Sequence, residues 1–130
     1  MNRGDVIFIP DHEFLDGGHA NKLFVILSDP AAHDKVLLVM TTSQAKYPTD
    51  FGCQVRTKVF YVPLPSAKKM KLNPDRVPEF EKNTWILLNR APLIKEKSVL
   101  ENDLAEKRSQ VVQTLKECRV NEIRNCYANH

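Results

Sequence analysis

Over the first two thirds of the chain, apolar residues come in short unbroken runs separated by polar, proline-containing stretches. "DVIFI" (5–9) is β-branched and predicts a first strand that Pro10 ends. "PDHEFLDGGHAN" (10–21) predicts a loop, acidic at Asp11, Glu13 and Asp16 and carrying two glycines. "KLFVILS" (22–28) predicts a second strand, stopped by Asp29-Pro30. "AAHD" predicts a turn, and "KVLLVMT" (35–41) a third strand. Neither run alternates apolar with polar, so both strands are expected to be buried on two sides or to close a small barrel. "TSQAKYPTD" (42–50) is a polar connection, and "CQVRTKVFYVPL" (53–64) holds one or two strands. "PSAKKMKLNPDRVPE" (65–79) is irregular: its prolines leave room for no more than a short helix at 66–71. "NTWILLN" (83–89) predicts a further strand, and "PLIKEKSVL" (92–100) a strand or an extended approach.

The last third changes period. "DLAEKRSQVVQTLKEC" (103–118) sets Leu104, Val111, Leu115 and Cys118 on one helical face, with Val112 beside them. Asp103 followed by Glu106 fits a capping box. The spacing predicts an amphipathic helix that continues toward Val120 and Ile123. Strands first and a helix last predict a mostly β (α+β) single domain over 1–130. Its expected form is a small antiparallel β-barrel or sheet covered by a C-terminal helix.

Composition narrows this without redirecting it. A chain of 130 residues, 42% hydrophobic and 27% charged, is an ordinary globular composition. No apolar run is long enough to span a membrane. The N-terminus lacks the pattern of a secretory signal, so a cytoplasmic setting is expected. Cys53, Cys118 and Cys126 are odd in number and irregularly spaced, which predicts no disulfide framework; Cys53 is expected to be a small core residue. No Cys-x-x-Cys pair supports zinc, and His12, His19, His33 and His130 lack metal-ligand spacing. A net charge of +3 is compatible with nucleic acid without demanding it.

Dinucleotide-binding and phosphate-loop glycine motifs are missing, as is a serine nucleophile elbow. Two places remain for chemistry. One is "GGHANK" (17–22), with His19 and Lys22 at the entrance of the second strand. The other is "MTTSQ" (40–44), where the third strand ends in Thr41, Thr42 and Ser43. If these strands pair antiparallel, the start of one lies beside the end of the other, and Lys22 approaches Thr42. A cation, an imidazole and hydroxyl donors at one spot suit a phosphate and a proton transfer. The plainer reading is that the hydroxyls satisfy turn backbone and the lysine keeps a strand end soluble.

In order along the chain, "RGDVIFI" (3–9), "FVILSDP" (24–30), "VLLVMTTSQ…YPT" (36–49) and "FEKNTWILLNRAPLIKEKSVL" (80–100) resemble the conserved segments of the MazF/PemK family of toxin endoribonucleases. The likeness covers most of the chain apart from 52–79. It implies an SH3-like barrel with a C-terminal helix, usually a homodimer. It implies metal-independent cleavage of single-stranded RNA, with no cofactor, and inhibition by an antitoxin protein. The family's loop arginine falls at Lys22 and its strand-end threonine at Thr42. His19 joins them on chemical grounds, and Thr41, Ser43, Gln44 and Lys46 are assigned to substrate binding. Lys22-Leu23 stands where the family has Arg-Pro. A lysine keeps the charge but lacks the planar fork that grips phosphate through two bonds. That departure, with the basic Lys68, Lys69, Lys71 and Arg76, supports the alternative of a non-catalytic barrel that binds RNA or a peptide.

Overall fold

The computed structural model describes residues 1–14, 16–44, 47–64 and 79–129. Its elements are β1 (Asp5–Glu13), β2 (His19–Ile26), β3 (Lys35–Thr42), β4 (Gly52–Gln54), β5 (Val59–Val62), β6 (Thr84–Leu87), β7 (Leu93–Glu96), α1 (Lys97–Ala105), β8 (Gln110–Thr114) and α2 (Glu117–Ala128). Every strand pair is antiparallel, in the order β4-β5-β6-β3-β2-β1-β8, and β7 also pairs with β3. This is the mostly β, α+β class read from the sequence. Among the described residues no ladder joins edge strands β4 and β8. The expected short helix at 66–71 lies outside the described residues, as do the basic side chains of 68–76, Lys46 and His130.

The unbroken apolar runs have a simple cause. Side chains alternate across a sheet, and here both faces are covered. Val6, Val25, Leu27 and Val39 face a core completed by Val120 and Ile123 of α2. Ile7, Phe24, Ile26 and Leu38 face the opposite way, onto Leu100 of α1. Strand β3 is the junction. Lys35–Leu38 pair with β7, Leu38–Met40 with β2, and Thr41–Thr42 with β6.

Two predicted elements differ. Strand β1 does not stop at Pro10 but runs to Glu13, and β2 begins at His19, so most of the expected loop is a β-hairpin. Pro10 is tolerated because β8 pairs only with Asp5–Phe8 and the β1–β2 ladder is irregular between Ile9 and His12. The helix expected over 103–118 is instead the end of α1, strand β8 and the start of α2. Lys107 takes φ 61°, and Arg108 N–H and Ser109 N–H both donate to the Asp103 carbonyl, which turns the chain out of the helix. "QVVQT" then pairs with the edge of β1, where β-branched residues fit better than in a helix. Asp103 therefore caps nothing. Its carboxylate meets Arg108 Nη2 at 3.0 Å and Lys95 Nζ at 3.6 Å. The helical face carries on in α2 through buried Val120, Ile123 and Cys126.

The cysteines also depart from expectation. Cys53 and Cys126 form a disulfide, with Cα atoms 5.6 Å apart, and Cys118 is free and exposed. Spacing in sequence could not show this, because the partners are 73 residues apart and meet only when α2 packs near β4. In the chain-entropy account, closing a loop of that length stabilises the fold by about 4 kcal/mol. Urea unfolding with and without reductant should show a loss of that order, and an unchanged midpoint would refute the bridge.

Candidate functional site

The β2–β3 ladder pairs Phe24 with Met40, Val25 with Val39 and Ile26 with Leu38. The ladder ends there: Leu23 and Lys22 precede it on β2, where Lys22 pairs with Ile9, and Thr41 and Thr42 follow it on β3, where they pair with Ile86 and Trp85. A bond from Thr41 Oγ1 to the Leu23 carbonyl, 3.0 Å long, joins the two strands past that end. Lys22, Thr41, Thr42 and Ser43 line one cavity of about 720 Å³, the juxtaposition expected from sequence. Asn21 adds an amide to its wall, Phe8 and Leu23 give it an apolar floor, and Glu79 and Lys82 stand on its far lip.

The hydroxyls are not equivalent. Thr41 is buried, and its proton is committed to the Leu23 carbonyl. Thr42 Oγ1 accepts the Gln44 backbone N–H at 3.3 Å, which leaves its own proton to donate. Ser43 is exposed at the mouth. Gln44 closes this turn and is not part of the cavity wall, and Lys46 lies outside the described residues. His19 is on β2 rather than in a loop. It pairs with Glu13, and its Nδ1 lies 3.3 Å from Asp11 Oδ1. It too stands beside the cavity rather than in its wall.

One residue that sequence reasoning did not assign is His12. Simple alternation puts residues 9, 11 and 13 on one face and His12 on the other. The ladder pairs Ile9 with Lys22 but His12 with Ala20, so Pro10 and Asp11 together oppose Asn21. This is a β-bulge. Asp11 takes φ 51° there, and its N–H donates to Asn21 Oδ1 at 2.9 Å. The extra residue turns His12 onto the face of Lys22 and Phe24. Its ring packs edge-on against Phe24 (centroids 5.0 Å apart) and Phe14 (5.3 Å). Partial burial, and then the charges of Lys95, His19 and Lys22, hold the His12 pKa below its ordinary value of 6.5. At neutral pH His12 is therefore an uncharged imidazole, but it is not part of the cavity wall, whose Phe8 and Leu23 are on the other face of the sheet. Only the proline before Asp11 hinted at the bulge.

Two carboxylates oppose an anion in this cavity, Glu81 and, tied to α2, Glu79. The Glu79 charge is compensated from behind by Arg119, which donates through Nε (2.8 Å) and Nη2 (2.9 Å) and lies 4.7 Å from the centre of the Phe51 ring.

No protein-family model matches the chain, and no curated protein matches its sequence. Any reading of function rests on the residues of this cavity and on the likeness they carry.

The His12 environment has a consequence for stability. The unfolded chain takes up a proton near the ordinary imidazole pKa, whereas the folded chain resists it. The contribution is thus fully present above about pH 6.5 and is lost as pH falls through the lower folded pKa. Unfolding free energies measured between pH 5 and 7.5 should fall toward acid more steeply in the native chain than in His12→Gln. Parallel profiles would show that the ring is not held neutral.

Proposed function

We propose that this protein is an endoribonuclease that cleaves single-stranded RNA without a metal ion. The observation that carries the reading is one cavity lined by Lys22, near the start of β2, and by Thr42 and Ser43, at and just past the end of β3. The ribose 2'-hydroxyl attacks the adjacent phosphorus, and the 5'-oxygen leaves, giving a cyclic phosphate. Lys22 stabilises the charge that builds on the phosphorane, and the Thr42 and Ser43 hydroxyls donate to its oxygens. His19, held beside Asp11, takes the 2'-proton, and the leaving 5'-oxygen takes a proton from water; His12 lies on the other face of the sheet from the cavity floor and takes no part. The resemblance to MazF/PemK toxins supports the same chemistry and brings its usual company, a homodimer inhibited by an antitoxin protein in the cytoplasm. No helix among the described residues is long and apolar enough to cross a membrane. A reducing cytoplasm would keep Cys53 and Cys126 as thiols. Lys22 is held in the β1–β2 ladder and Thr42 in the β3–β6 ladder, neither of which includes that bridge.

One observation favours a second reading. Thr41 has its hydroxyl proton committed to backbone, and Thr42 already holds the Gln44 N–H, as in a cavity that binds RNA or an extended peptide without cutting. RNA cleavage in EDTA separates the two. The nuclease reading expects fragments with cyclic phosphate ends. It expects Lys22→Ala and Thr42→Ala each to slow cleavage at least about tenfold, ~1.4 kcal/mol of barrier. Salt-sensitive binding with no cleavage across a diverse RNA panel would establish the binding reading instead.

A further inference from the structure

A second cavity, of about 630 Å³, lies at the other end of β2 and shares no residue with the first. Six strand steps separate Lys22 from Ser28 on its rim, about 20 Å. Arg3, His33, Arg124 and Tyr127 line it. Arg124 is on the exposed side of α2, with Asn121 one turn before it on the same side and Tyr127 one turn after. Arg3 comes from the opposite end of the chain. Its Nε is buried, and among the described residues nothing accepts its proton. A buried guanidinium N–H without an acceptor is costly. The one carboxylate in the wall, Asp29, uses Oδ1 to accept the Ala31 N–H at 3.1 Å, closing its own turn.

The Arg3 backbone is fixed before any ligand arrives. Gly4 N–H donates to the Ile26 carbonyl at 2.8 Å, and the Gly4 carbonyl accepts Leu115 N–H at 2.9 Å. Gly4 holds φ +90°, and a Cβ there would come within 2.6 Å of Val120 Cγ2. Only glycine lets the first turn sit this close to α2, and that approach brings Arg3 beside Arg124.

We infer that this cavity is a phosphate-binding site for a nucleotide ligand, with Arg3 and Arg124 gripping the phosphate and Tyr127 and His33 offering rings to the base. Guanidinium forks match phosphate oxygens through paired bonds, and two of them outweigh a single carboxylate already engaged in its turn. Aromatic rings beside such a fork stack bases of any sequence. The phosphate could belong to a free mononucleotide or to an RNA strand. The site does not depend on the cleavage reading, since neither Lys22 nor Thr42 takes part.

The test is an NMR titration of the full chain with inorganic phosphate, with AMP and with an eight-nucleotide RNA, in low and high salt. Saturable shifts at His33, Arg124 and Tyr127 with AMP are expected, weakened at least tenfold in Arg124→Gln and in Arg3→Gln. Arg124 is exposed on α2, so its variant tests the site even if Arg3→Gln fails to fold. Phosphate and AMP competing with RNA for these resonances would assign the site to a strand. AMP binding untouched by RNA would assign it to a free nucleotide. No saturable shift at these residues with any of the three probes, or unchanged affinity in Arg124→Gln, would overturn the proposal.

Discussion

Phe24 and Ile26 on one face of β2, and Val25 with Leu27 just past its end on the other, have to leave water together. A strand that is apolar on both faces cannot sit on the outside of anything. It needs neighbours in its own plane and cover above and below. Strands β1 and β3 supply the plane. Helix α1, through Leu100, covers one face, and α2, through Val120 and Ile123, covers the other. Each fully buried aliphatic or aromatic side chain is worth about 1.5–3 kcal/mol. The central layer is thus the rigid part of the molecule, and both cavities sit where it ends.

Polar chemistry appears where this two-sided burial stops. At the start of β2 the pattern changes from Phe24 to Lys22, and at the end of β3 from Met40 to Thr42. Antiparallel pairing makes these the same place. The backbone that carries Lys22 and Thr42 is held by ladders anchored in the core, which is what a site needs if a charge is to meet a phosphate at fixed geometry. The bulge at Pro10–Asp11 acts on the other face of the sheet. By inserting a single residue it moves His12 from one face of the sheet to the other, and the Phe14 and Phe24 rings then hold it partly out of water.

This also explains what the sequence discloses and what it does not. The strands are legible because residue period and burial agree, and the sharing of one cavity by Lys22 and Thr42 follows from antiparallel order. The segment 103–118 misleads because Leu104, Val111 and Leu115 have helical spacing by coincidence. A turn at Lys107 and the free edge of β1 decide its structure, and both are features of the assembled fold. The Cys53–Cys126 bridge and the cavity shared by Arg3 and Arg124 bring together residues far apart in sequence, so no local spacing encodes them. His12 is hidden for another reason: a one-residue bulge inverts the alternation from which faces are read.

Helix α2 links these features mechanically. It lies against Gly4 of the first turn through Val120, and is tied to the segment at 79 through the Arg119–Glu79 pair and to β4 through Cys126. The same helix that buries one face of the sheet therefore reaches the lining of the Lys22 cavity through Glu79 and compensates that carboxylate, one of the two there. Without Arg119, Glu79 would stand uncompensated opposite Lys22 and oppose any phosphate drawn toward it. Packing and electrostatics are thus coupled through one element. A change that loosens α2 from the core has to alter the charge seen by a ligand at the cavity, even though α2 contributes no residue to its wall.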